Sequence, residues 1–231
     1  MTSASSARTF DVRHVQLARA AFAAIAAVMI TFSPDHSAAV GLSVFSGFAI
    51  ATGLVHLLSV WLVYPAGLRW PSVLLGIVTI VAGMAGGLGP TRTVTGFFVI
   101  VISWALVSGV IEAVSGILAV RTPRIKPGGV APWSDGSAPV VMPRADARDA
   151  IVIGVVGVVL GLALLVIQPG YALQYSIEDA NETFTLTGII IAVGVFGGYA
   201  AIVAVYLGIA GFSPRQSPVE EPAPAATKDL A

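Results

Sequence analysis

Two ionisable residues lie deep inside long apolar stretches of the chain: His56, in Thr52-Gly-Leu-Val-His-Leu-Leu-Ser59, and Glu112, in Ser108-Gly-Val-Ile-Glu-Ala-Val-Ser115. Each has a hydroxyl four residues before it and another three residues after it. On an α-helix those positions share one face. Each segment therefore presents a hydroxyl–ionisable–hydroxyl stripe, with Gly53 or Gly109 beside it. The stripes correspond at an offset of 56 residues, so Thr52 matches Ser108, His56 matches Glu112, and Ser59 matches Ser115. A charge at the centre of a bilayer costs roughly 2.5–3.5 kcal/mol on insertion scales. The cost falls when the group finds a partner or becomes neutral. A His56–Glu112 pair across a helix bundle would relieve it. Such a pair would also form a proton-sensitive or proton-relaying site, because histidine titrates near pH ~6.5 and a buried carboxyl titrates upward. The structural alternative is neutral hydrogen bonding, with Thr52, Ser59, Ser108 and Ser115 satisfying the polar atoms.

Other chemistries find little footing. The chain has no cysteine, which excludes disulfides, thiolate metal cages and cysteine nucleophiles. Three histidines in separate segments make no metal site, and no cofactor is expected. There is no Gly-x-Ser-x-Gly elbow, no His-Glu-x-x-His pair and no phosphate-cradling loop with a lysine. Gly86-Gly87-Leu88-Gly89 is glycine-rich but lies at the end of an apolar stretch with no lysine nearby. An enzyme is not expected. Twelve Lys+Arg balance twelve Asp+Glu, so no basic field is available to hold nucleic acid. His14, Asp35-His36 and the Glu178/Asp179/Glu182 group read as residues of the membrane surface and of solvated loops.

The elements that carry the stripes are membrane helices. Hydrophobic residues make up 56% of the 231, charged residues only 10%, and the mean hydropathy is +0.91. Soluble domains run about 45–50% apolar and about 25% charged. Six stretches are long enough to cross a bilayer: about 17–33, 38–63, 71–89, 94–120, 150–168 and 184–212. The fold class is thus all-α, a polytopic membrane protein with six transmembrane helices and the lipid bilayer as its first partner. Eleven of the twelve basic residues fall on one side of these spans, with Arg8, Arg13 and Arg19 counted as a flank of the first. Arg92 stands alone on the other side. The positive-inside rule makes the rich side cytoplasmic and puts both termini there. Trp61, Tyr64 and Trp70 cluster at that interface.

Arg13 to Pro34, Arg69 to Pro90 and Arg148 to Pro169 each span 21 residues, and each is followed by a second apolar helix. Proline ends each first helix, since it has no N–H and disfavours helix in the residue before it. The chain reads as three parallel helix hairpins, about 13–63, 69–121 and 148–212, forming one domain over 1–212. A proline-rich cytoplasmic linker covers 122–147, and a disordered cytoplasmic tail covers 213–231. Gly53, Gly109, Gly83/Gly87, Gly157/Gly161 and Gly194/Gly198 are expected to let helices approach closely. Asn181-Glu182-Thr183 matches a glycosylation sequon, a short pattern that carries little weight.

Ile102-Ser-Trp-Ala-Leu-Val-Ser-Gly-Val-Ile-Glu-Ala-Val-Ser-Gly-Ile-Leu-Ala-Val-Arg121 resembles the HdeD family of bacterial acid-resistance membrane proteins. The segments over 18–60 and 69–90 are similar to that family's paired-helix repeat, and the likeness is fainter over 148–212. The resemblance implies a six-helix protein of the bacterial inner membrane, linked in some members to acid stress, with no catalytic set to carry over. The proline-rich linker, the acidic outer loop and the tail depart from the compact family pattern. Two other functions stay open. One is an accessory subunit of a larger membrane complex, bound to other membrane proteins or to itself. The other is a small transporter with a polar path at His56 and Glu112.

Overall fold

The computed structural model of the protein describes residues 10–122, 142–177 and 182–213. Arg8, Arg124, Lys126, most of the proline-rich linker, the tail beyond Ser213, and Glu178, Asp179 and Asn181 lie outside the described residues. The six helices are α1 (Val12–Thr31), α2 (Ala38–Leu62), α3 (Trp70–Gly87), α4 (Val94–Arg121), α5 (Arg144–Val166) and α6 (Gly188–Phe212). All six are long and apolar enough to cross a membrane. Even the shortest, α3 with 18 residues, reaches about 27 Å at ~1.5 Å per residue.

Local chemistry sets the ends of the helices. α1, α3 and α5 stop at Thr31, Gly87 and Val166, in each case three residues before a proline. Leu88 and Ile167, the residues that end α3 and α5, are extended, and a proline two residues further on has no N–H with which to continue the helix. Ser37 caps α2 by accepting the Val40 N–H, and Thr93 caps α4 by accepting the Gly96 N–H at 3.0 Å. Asp35 accepts both the backbone N–H (2.8 Å) and the hydroxyl (3.0 Å) of Ser37. It is a turn-forming group rather than a merely solvated charge. His14 Nδ1 accepts the Asp11 N–H at 3.0 Å and so completes the start of α1.

Several boundaries differ from the sequence expectation, and α1 already starts at Val12 rather than near 17. α5 begins at Arg144, inside the region assigned to the linker. Pro143 precedes it, the good helix formers Arg144, Ala145 and Ala147 follow, and Asp146 stands in the first turn where the helix dipole favours an acid. The outer loop is a β-hairpin: β1 (Ala172–Ile177) pairs antiparallel with β2 (Glu182–Thr187), with Ala172 opposite Thr187. The strand residues up to Thr187 therefore do not belong to the sixth helix, which starts at Gly188. The signal was present in Leu173-Gln-Tyr-Ser-Ile177 and Thr183-Phe-Thr-Leu186, which alternate polar and apolar residues and are rich in β-formers.

The helices form a closed ring in chain order, with α1 returning to α6. The most extensive packing is α4 on α5, α1 on α6 and α2 on α3. Each of these pairs joins two different expected hairpins rather than lying within one. α2, α4 and α6 also meet around the axis through an aromatic layer. Phe45 contacts Trp104 edge-on at 5.1 Å and Phe196 at 5.6 Å, while Trp104 contacts Tyr199 at 5.9 Å. Phe48 lies in the same layer, 5.8 Å from Trp104, and precedes it by the same offset of 56 residues.

Glycines make the tight pairs possible. A Cβ on Gly109 would lie 2.7 Å from the Gly154 carbonyl oxygen, and one on Gly154 would lie 2.6 Å from that of Gly109. Gly53 and Gly76 face each other in the same way across α2 and α3. Gly83 packs on Ala49 and Ile50, and its carbonyl accepts the Ser46 hydroxyl at 2.7 Å. Gly87 lies against Ser46, Gly157 against Gly109 and Gly161 against Leu106. Gly194 and Gly198 do not pack: nothing lies within 4 Å of a Cβ at either position. The α6 glycines that meet α1 are Gly197, against Ile30, and Gly211, against Leu17. The four-residue spacing belongs to Gly194 and Gly198; the rotation of α6 turns Gly197 and Gly211 to α1 instead.

Candidate polar site within the membrane helices

The six helices bring a cluster of polar groups together below the aromatic layer, toward the end of the bundle that carries Phe10 and Ser213. Its centre is an ion pair that the expected site did not contain. Arg19 Nη1 donates to Glu112 Oε1 at 2.7 Å, and Nη2 donates to Oε2 at 3.2 Å. The two planar groups meet in the fork-to-fork geometry that makes such bonds strong. Both side chains are close to fully buried, at 13% and 10% exposure. Arg19 is thus not a flanking charge. It lies well inside α1, one turn beyond Gln16 on the same face. Val12, Val15 and Leu17 precede it on the helix, so α1 begins about two turns ahead of Arg19.

His56 is buried at 5% exposure and lies in the same cluster, but Glu112 pairs with Arg19 and not with it. The expected His56–Glu112 pair is therefore replaced by Arg19–Glu112, with His56 as neighbour. A guanidinium is always charged and forks onto a carboxylate, so it outcompetes a neutral ring for the same oxygens. The hydroxyls of the two stripes also turn elsewhere. Ser59 donates to the His56 carbonyl at 2.6 Å, Ser108 to the Trp104 carbonyl at 2.6 Å, and Ser115 to the Glu112 carbonyl at 2.8 Å. Each satisfies its own helix backbone, the usual resort of a serine in a helix interior. Thr52 is the exception. Its buried Oγ1 has no hydrogen-bond partner among the described residues, and neither does Arg19 Nε.

Other groups that sequence reasoning passed over complete the site. Asp149 of α5 accepts from Gln16 Nε2 at 2.8 Å and from the Tyr206 hydroxyl at 2.9 Å, tying α1, α5 and α6 together. Asp146 is buried beside it. Tyr64 was expected at the lipid interface with Trp61 and Trp70. Those two are exposed at 73% and 68%, whereas Tyr64 turns inward, with Ser72 as side-chain partner. Burial holds its phenol above the ordinary tyrosine range, against the opposing pull of Arg19.

Two small cavities flank the ion pair. The outer one, of about 60 Å³, is lined by Gln16, Tyr64, Ser72, Ser115, Asp146 and Asp149 among others. The inner one, of about 20 Å³, includes Thr52, Thr79, Ser108 and Tyr199. Arg19, His56, Leu75 and Glu112 line both. The arrangement can hold water and exchange protons. An apolar hollow of about 470 Å³ between α3 and α4 opens outward and is separate in chemistry.

Six apolar helices in a ring, with exposed Leu, Val, Ile and Met outside and ionised groups inside, define a polytopic membrane protein. Compared with protein-family models, curated proteins and solved structures, the chain matches none of them.

Proposed function

We propose that this protein is an HdeD-like integral protein of the bacterial cytoplasmic membrane, with both termini cytoplasmic, acting non-catalytically in acid or envelope stress. The observation that carries the reading is the buried Arg19–Glu112 pair with His56 beside it, reached through a polar cavity from one end of the bundle. Protons entering there compete with Arg19 for the Glu112 carboxylate and can charge His56. Either event leaves uncompensated positive charge among packed helices and alters their packing.

The test is survival after mild acid challenge in cells that depend on this protein, with membrane levels measured in parallel. Glu112→Gln is expected to lower survival while the protein still assembles. Wild-type survival with both Glu112→Gln and His56→Ala at normal membrane levels removes the stress reading.

A second reading, an accessory subunit of a larger membrane complex, is favoured by the open apolar hollow between α3 and α4, lined by Ile77, Val81, Val99 and Val107. Stoichiometric copurification of another membrane protein from mild detergent would support it. The transporter reading gains nothing comparable, because the aromatic layer of Phe45, Phe48, Trp104, Phe196 and Tyr199 stands across the axis above the inner cavity.

A further inference from the structure

The inner cavity has an unusual balance of polar groups. Two of its hydroxyls have partners: Ser108 bonds its own helix, and Thr79 Oγ1 accepts the Trp104 indole N–H at 3.3 Å. Thr52 Oγ1 and Arg19 Nε are both buried, both belong to side chains lining this space, and neither has a hydrogen-bond partner among the described residues. A buried donor or acceptor left unmade is costly, and native interiors meet the need with ordered water. The space suits that solution. At about 20 Å³ it exceeds the roughly 10–15 Å³ that one water requires, and it is polar, whereas cavities that stay dry are apolar.

We propose that the inner cavity is a binding site for a single water molecule, held by Thr52 Oγ1 and Arg19 Nε, and that this water is the blind end of a path supplying His56 with protons from the Phe10/Ser213 end of the bundle. The same four side chains line the inner and outer cavities, so water on either side touches Arg19, His56 and Glu112. Beyond the inner cavity the aromatic layer closes the axis, so the path fills from one end. The titratable groups facing it are Arg19 from α1, His56 from α2, Glu112 from α4 and Tyr199 from α6. α3 offers only Leu75 and the Thr79 hydroxyl there. Tyr64, Asp146 and Asp149 stand in the outer cavity, where α5 contributes its acids. The site is a matter of hydration, and it stands whether or not the protein acts in acid stress.

The full chain, labelled with ¹⁵N-histidine and reconstituted in liposomes, allows a direct reading by magnetisation transfer from water in solid-state NMR. His14 and His36, near opposite ends of the bundle, serve as internal references. In the wild type, the His56 signal is expected to build up from water at a rate approaching theirs. Thr52→Val keeps the shape but removes the hydroxyl; it should slow the His56 build-up to the rate that the outer cavity alone supports and leave His14 and His36 unchanged. Thr52→Ser should restore the rate. If Thr52→Val does not assemble, Arg19→Lys gives the same information, since it keeps the charge for Glu112 but lacks Nε. Ser115→Phe, which crowds the outer cavity, should also slow the transfer. Wild-type His56 transfer that is as slow as in Thr52→Val, or unaffected by Arg19→Lys, overturns the water site. A normal rate in Ser115→Phe overturns the one-ended path.

Discussion

At the scale of single residues, the site is governed by the cost of ionised groups away from water. A buried Arg–carboxylate fork is held by geometry, and removing one partner strands the other. Glu112→Ala leaves the Arg19 guanidinium buried beside His56 with no carboxylate, and should destabilise the protein by about 3–5 kcal/mol. The double variant Arg19→Met/Glu112→Leu removes both charges and should recover most of that loss, since apolar replacements of a buried pair are often neutral. Thermal unfolding in detergent compares the two; equal destabilisation would show that the pair itself, and not the stranded charge, carries the stability. His56 and Glu112 were legible because each interrupts a long apolar run. Arg19 was not, because a basic residue near the start of a membrane helix normally marks the lipid boundary, and sequence position alone cannot separate a flank from a first buried turn.

At the scale of elements, backbone approach decides how helices pair, because lipid supplies no hydrophobic drive between them. Gly109 and Gly154 place α4 and α5 almost in backbone contact, with no flexible side chain able to yield. Gly154→Ala should therefore push the two helices apart and cost about 1–3 kcal/mol, whereas Gly194→Ala, which meets nothing within 4 Å, should be near neutral. Unfolding midpoints of the two variants, measured side by side, check the difference. Helix ends were readable from the three prolines, whose effects are local. The β-hairpin was missed because a short connection between two apolar spans reads as a loop, although its alternation was visible once sought.

At the scale of the whole molecule, the ring has a polar end and an aromatic middle, and its function depends on which compartment the polar end faces. The chain contains no cysteine, so single thiols report cleanly. Ser213→Cys and Arg92→Cys lie at opposite ends and are both exposed. In intact cells an impermeant thiol reagent should label Arg92→Cys and spare Ser213→Cys; the reverse pattern would turn the polar cavity outward and with it the source of its protons.

The amino-acid sequence by itself determined the number of membrane helices, where most of them end, and the fact that two of them carry buried ionisable groups. These follow from properties of a residue and its near neighbours: apolar length, proline, and helical spacing. Only the tertiary structure decided that Glu112 belongs to Arg19, that Gly197 rather than Gly194 packs, that Tyr64 turns inward, and that α1 closes on α6. Each of those depends on the rotation and order of helices far apart in the chain, and no local pattern encodes which face of one helix will meet which face of another.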